Sequence, residues 1–179
     1  AVFATFRKTY VERGYAGIDF KSYHIQKAVS QTVEMLHRDY PSSGPLLAAL
    51  PTVQTLDELG STVRFDVPGL VGVRLSGLTM RYVKFAADML QVFGPVLFPR
   101  LATGEALLPE SLLKEEREAR RPAPDIVEIG VGFGGQCAVI TRLFEVNTYT
   151  LVDLPEVLRL VERVLREAGA PMEKIRFIN

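Results

Sequence analysis

The sequence predicts an α/β fold, the first half of a doubly wound, Rossmann-like parallel sheet preceded by a mainly α-helical N-terminal domain, and three observations carry that expectation. The run Asp125-Ile126-Val127-Glu128-Ile129 is apolar and β-prone, then breaks into Gly130-Val131-Gly132-Phe133-Gly134-Gly135 and a helix-prone stretch, which reads as strand, tight turn, helix. A second such run, Thr148 to Val152, ends in Asp153-Leu154-Pro155 and another helical pattern. Upstream of Pro122 the apolar residues recur mostly with a helical period.

Composition narrows the possibilities. With 21 Lys+Arg against 21 Asp+Glu, the chain has no global field to attract nucleic acid or an anionic membrane. No apolar run approaches the roughly 20 residues that span a bilayer, and Ala1 to Lys8 lacks the layout of a secretory signal. The single cysteine, Cys137, cannot form an internal disulfide and suits a reducing compartment, so the expected location is cytoplasmic. The chain opens without methionine and stops at Arg176-Phe177-Ile178-Asn179, an apolar run that reads as a strand entering a sheet; the expectation is a fragment of a larger sheet.

In chain order, Val2 to Tyr15 reads as a short helix and a turn. Ser22 to Tyr40 is a helix, with Ile25, Val29, Val33 and Leu36 at i, i+4, i+8 and i+11 and Pro41 closing it. His24 and His37 lie on it without cysteine or carboxylates at ligand spacing, and no metal site is expected. Leu46 to Leu50 reads as one helical turn stopped by Pro51. Val63 to Val67 and Val71 to Leu75 flank Pro68-Gly69 and form a candidate hairpin over 63–75. From Ser76, a plausible N-cap, Leu78, Tyr82, Phe85, Met89 and Val92 mark a helix that Gly94-Pro95 is expected to end. Leu112 to Arg121 reads as a solvated helix with Lys114/Glu118 and Glu116/Arg120 at i,i+4. Pro122-Ala123-Pro124 is an extended link, which sets the domains at 1–121 and 122–179. Beyond it the pattern alternates: strand Ile126 to Ile129, helix Gly135 to Phe144, strand Thr148 to Val152, helix Pro155 to Ala168, strand Ile175 to Ile178. Cys137 falls on the apolar face of the first of these helices and reads as a small buried hydrophobe.

Two cofactor chemistries use such a turn. Gly130, Gly132 and Gly135 satisfy G-x-G-x-x-G, and Asp153 stands at about the spacing of a ribose-binding acid, as in dinucleotide sites. Gly130, Gly132 and Gly134 equally satisfy E-x-G-x-G with Glu128 as its acid. A carboxylate beside the turn repels a pyrophosphate but suits S-adenosyl-L-methionine, which carries a sulfonium and an ammonium and no phosphate. Glu128 therefore favours the methyl donor, with a nicotinamide-dependent oxidoreductase and a non-catalytic cofactor-binding domain left as alternatives.

The segments Val127 to Gln136 and Tyr149 to Val157 resemble the first two motifs of the bacterial sugar O-methyltransferases, within the class I S-adenosylmethionine-dependent methyltransferase superfamily, and Asp153-Leu154-Pro155 is also similar to the caffeate-type O-methyltransferases. Leu78 to Gly94 resembles the Leu-Arg-Tyr helix that precedes the glycine motif in the sugar family; Met80 replaces a leucine and Val131 a second glycine. The resemblance runs from about Leu75 to the end. It implies methylation of a hydroxyl on a sugar or saccharide precursor, while the balanced charge and the hydropathy argue against nucleic acid and a membrane span, and a homo-oligomer stays open. In the site so read, Gly130, Gly132 and Gly134 clear space for the donor, Asp153 accepts from the ribose hydroxyls and Glu128 faces the cationic end. Phe133 and Leu154 supply apolar contacts to the adenosine, and Arg81 is a candidate partner for the donor carboxylate or an acidic substrate. No catalytic base can be named from these residues, and the fragment alone is expected to turn over weakly or not at all.

Overall fold

The computed structural model describes residues 22–40, 43–60, 62–97 and 123–179. The expected helices over Val2 to Tyr15 and Leu112 to Arg121, and the join at 121/122, lie outside the described residues.

Helix α1 (Ser22–Asp39) buries Val29, Val33 and Leu36, one stripe of its surface. Beyond Tyr40 the chain forms α2 (Ser43–Ala48), α3 (Leu50–Val53) and a 3₁₀ turn over Gln54–Glu58. Here Pro51 opens a helix where the sequence reading had it close one. The first turn of a helix has amide groups with no internal partner, so a proline there forfeits no hydrogen bond. Leu46, Leu50, Val53 and Leu56 are all buried by this winding.

The hairpin forms as an antiparallel pair, β1 (Phe65–Asp66) and β2 (Arg74–Leu75), with Phe65 opposite Leu75 and Asp66 opposite Arg74. It is short because Gly69 and Gly72 both adopt positive φ and turn the chain between Val67 and Val73, whose backbones still bond at 2.9 Å.

Helix α4 (Gly77–Leu97) starts where its cap predicts. The Ser76 hydroxyl accepts from the Thr79 amide at 3.1 Å. Behind the cap sits Asp57, buried, accepting from the Ser76 amide at 2.6 Å, the Ser76 hydroxyl at 2.9 Å and the Thr79 hydroxyl at 2.7 Å. A carboxylate with three donors is tolerated in the core because its lone pairs are used. The helix does not end at Gly94-Pro95; it continues to Leu97. Pro95 lies in the last turn, where its missing donor costs one bond and little remains downstream to be kinked. Met80, Val83, Ala86, Ala87 and Leu90 face inward, and the Tyr40 hydroxyl and Lys84 ammonium both donate to Asp88, fastening α1 to α4.

The remainder is a parallel sheet in the order β3 (Asp125–Ile129), β4 (Thr148–Val152), β5 (Ile175–Ile178), with α5 (Gly135–Leu143) and α6 (Pro155–Glu167) as connections. The register sets Glu128 beside Leu151 and Ile129 beside Val152, so the carboxyl ends of β3 and β4 finish level. Tyr149 and Leu151 are buried on one face, whereas Val127 and Ile129 on the other are 63% and 80% exposed. The hydrophobic core runs as one cluster from Val29 in α1 to Ile175 in β5. Arg142 of α5 bridges the two regions, donating to the carbonyls of Thr52 at 2.8 Å and of Ala168. Among the described residues no helix is long and apolar enough to cross a membrane.

Candidate functional site

Three segments meet at the carboxyl ends of β3 and β4. The first is the turn from Gly130 to Gly134. All three of its odd-spaced glycines, Gly130, Gly132 and Gly134, take left-handed φ values of 76°, 57° and 83°, a region that side chains with a Cβ rarely enter. They differ in what surrounds them. A Cβ on Gly130 or Gly132 would meet nothing within 4 Å, so the outer side of the turn is open; on Gly134 it would lie 2.7 Å from Val161 Cγ1. Gly134 is the N-cap of α5 and lets α6 pack against the turn, while the first two glycines leave backbone bare toward open space.

The second segment is the end of β4. Asp153 is joined to the turn through its side chain: Oδ2 accepts from the Val131 amide at 2.8 Å and Oδ1 from the Leu154 amide at 2.7 Å. A carboxylate offers about four acceptor positions, so two remain for a ligand. These bonds hold the acid rigidly next to the glycines 22 residues away in sequence. Leu154, the N-cap of α6, is 66% exposed beside it and available to an apolar ligand surface.

The third is Glu128, one residue short of the end of β3 and on the buried side of the sheet. Its Oε2 accepts from the Tyr149 hydroxyl at 2.8 Å. Burial dominates its environment and pushes the carboxyl up to about 7, the Tyr149 hydrogen bond opposing that rise. The sequence reading treats this residue as a standing anion; in the fold it is about half neutral at pH 7, because the sheet and α5 remove water without supplying a cation. Tyr149 is almost fully buried, and desolvation followed by the Glu128 charge raises its own hydroxyl.

Phe133 is placed differently from Leu154. Its ring is 2% exposed and lies against Gly135 and Tyr82 of α4, with ring centroids of Tyr82 and Phe133 6.2 Å apart. It supports the turn from beneath instead of presenting a surface to adenosine. Gly135 has no Cβ because one would stand 2.5 Å from the Phe133 ring and 2.6 Å from the Tyr82 ring. Arg81, next to Tyr82, is exposed.

No protein-family model matches the chain, and no curated protein does. Among solved structures, the chain has a likeness to the S-adenosylmethionine-dependent methyltransferase SibL in its apo form, at 18% identity and a TM-score of 0.31, covering 99% of this chain and 42% of that one. The chain thus spans well under half the length of that protein.

Two contributors escaped the sequence reading. Tyr149 was placed in a strand without a role, although its alternation puts it on the inner face near Glu128. Tyr82 reads in the sequence only as one of the apolar positions that mark a helix, and nothing short of the fold brings that helix to the glycine turn. Cys137 is buried as expected, and burial, with the Glu128 charge, raises its thiol far from reactivity. Among the described residues no group of three or more His, Cys, Asp or Glu is arranged to hold a metal.

Proposed function

We propose that the protein is an S-adenosylmethionine-dependent O-methyltransferase acting on a sugar or saccharide precursor. The observation that carries the reading is the docking of Asp153 onto the turn through the Val131 amide, which sets a ribose-type acid against open, glycine-bare backbone. The donor set suits the methyl donor: Asp153 keeps two acceptor positions for vicinal hydroxyls, Leu154 offers an exposed apolar side chain, and Glu128 gives the cationic end an acid held in place by the Tyr149 hydroxyl. When bound, that cofactor supplies an electrophilic methyl group on a sulfonium.

This chain's residues then have distinct tasks. Asp153 orients the ribose, the glycines let the backbone approach, and Tyr82 with Phe133 keeps the turn from yielding. Fixed placement of the two reactants accounts for much of the rate in a displacement of this kind, with removal of the hydroxyl proton as the second requirement. The sugar acceptor rests on the resemblance of Leu78 to Gly94 and of the two motifs to the sugar family. The test is transfer of labelled methyl from S-adenosyl-L-methionine into a pool of sugars and nucleotide-free saccharide precursors. Incorporation that disappears in Asp153→Ala supports the reading; incorporation undiminished in that variant refutes the ribose assignment.

A further inference from the structure

Glu128 sits in an enclosure with little to hold its charge. From β4 it is met by Tyr149, whose hydroxyl donates at 2.8 Å, and from α5 by Cys137; burial keeps both of those groups neutral around pH 7. The Gln136 amide, in the first turn of α5, lies against the Tyr149 hydroxyl and completes a polar patch under the turn. From α4 comes the Tyr82 ring, over Gly135 and Phe133. Asp153, across the turn, is another acid, tied to the amides of Val131 and Leu154. The ion pairs of Arg38, Arg74, Lys84, Arg159, Arg163 and Arg166 lie elsewhere, on α1, on the hairpin and on the outer surfaces of α4 and α6. Among the described residues, burial and the Tyr149 hydrogen bond are what set the carboxyl's charge, and the N-terminus of α5 offers only a partial positive charge nearby.

A carboxyl so placed is costly to ionise while the site is empty and much cheaper to ionise once a cation lies beside it. We infer that Glu128 is a specificity-determining residue that exchanges its proton for the ligand's positive charge: a cationic ligand enters as the carboxyl proton leaves to solvent, and a neutral analogue enters without that exchange. The inference rests on the methyl-donor reading above and adds to it a pH dependence of donor binding. The charge balance closes, since one proton leaves for each ionisation and no other group near the carboxyl needs to change state. Tyr149 is a positioning residue here: its hydroxyl stabilises the carboxylate form and aims it.

With the empty carboxyl titrating at about 7 and the occupied one fully ionised, linkage predicts about half a proton released per donor bound at pH 7. The carboxyl's contribution to donor affinity levels off above pH 8 and falls about tenfold per pH unit below 6.

Calorimetric titration of S-adenosyl-L-methionine into the protein, in two buffers of different ionisation heat at each pH from 5 to 7, where the donor's own α-amino group, ordinarily titrating at about 8, stays charged, reads both quantities. Glu128→Gln is expected to release no proton and to bind with an affinity independent of pH. Tyr149→Phe, which removes the hydrogen bond that favours the carboxylate, is expected to move the midpoint of the pH dependence upward; a purely structural tyrosine would leave it in place. Donor binding by the unaltered protein with no proton release and a level pH profile overturns this inference and leaves the methyl-donor reading standing. A pH profile that persists in Glu128→Gln overturns it equally. Absence of donor binding at every pH overturns both.

Discussion

Substituting Glu128 by glutamine makes a prediction about the fold itself, independent of any ligand. The carboxyl titrates at about 7 in the folded protein against an ordinary 4.5, with burial as the principal cause. Its folded-state value is raised, so the native protein binds more protons than the unfolded chain between those two pH values, and stability falls as pH rises through that window. The contribution is intact below about 4.5 and is lost by about pH 8. The full difference corresponds to about 3 kcal/mol, and residual access of water to a side chain that is not fully enclosed brings the expected loss nearer about 2 kcal/mol. Glutamine keeps the acceptor for the Tyr149 hydroxyl and cannot ionise. At pH 4 the two proteins should therefore melt together, and at pH 8 Glu128→Gln should melt higher, by about 4–8 °C for a chain of this size. Thermal melts followed by circular dichroism at half-unit steps of pH measure this directly. Parallel curves across the range, or a variant less stable than the parent at pH 8, would falsify the assignment of Glu128 as a buried acid without a cation.

Other substitutions separate the roles within the turn and its support. Gly134→Ala combines a φ of +83° with a Cβ 2.7 Å from Val161 and should cost about 2–4 kcal/mol in urea unfolding, whereas Gly130→Ala meets only the backbone strain and should cost about 1 kcal/mol; equal losses would contradict the packing of α6 on the turn. Tyr82→Ala removes the ring over Gly135 and Phe133 and should cost about 2–4 kcal/mol and weaken donor binding, although its helix contributes nothing to the sheet. Asp57→Ala strips the acceptor from three buried donors at the start of α4 and should cost about 3–5 kcal/mol by denaturant melts, against about 1 kcal/mol for Ser76→Ala; the reverse order would show that the cap, not the acid, holds the helix.

Much of the α/β half was readable in order because its signals are local. The glycine turn, the proline at the start of α6 and the wide stripe that includes Val161, Val164 and Leu165 each act within a few residues, and the strand and helix bounds agree to within one residue. The helical half was less legible where proline has two meanings. Pro51 and Pro95 both sit in helices, one at a beginning and one near an end, and only the surrounding packing distinguishes a start from a stop. At the site, Asp153 and the glycines were legible from spacing. What was not is the ionisation of Glu128. Its charge depends on Tyr149, Cys137 and the exclusion of water, all contributed by segments remote in sequence. Phe133 illustrates the same limit, since an aromatic residue within a glycine turn reads alike whether it faces a ligand or the core.

The most direct measurement of the central claim, that this turn and its acid serve a methyl donor, is calorimetric titration of S-adenosyl-L-methionine and of NADH against the protein and against Asp153→Ala at pH 8. Saturable binding of the donor, weakened at least about tenfold by loss of the acid's hydrogen bonds, with no binding of NADH, is the expected result. Saturable binding of NADH without the donor, or a donor affinity indifferent to Asp153, would contradict it.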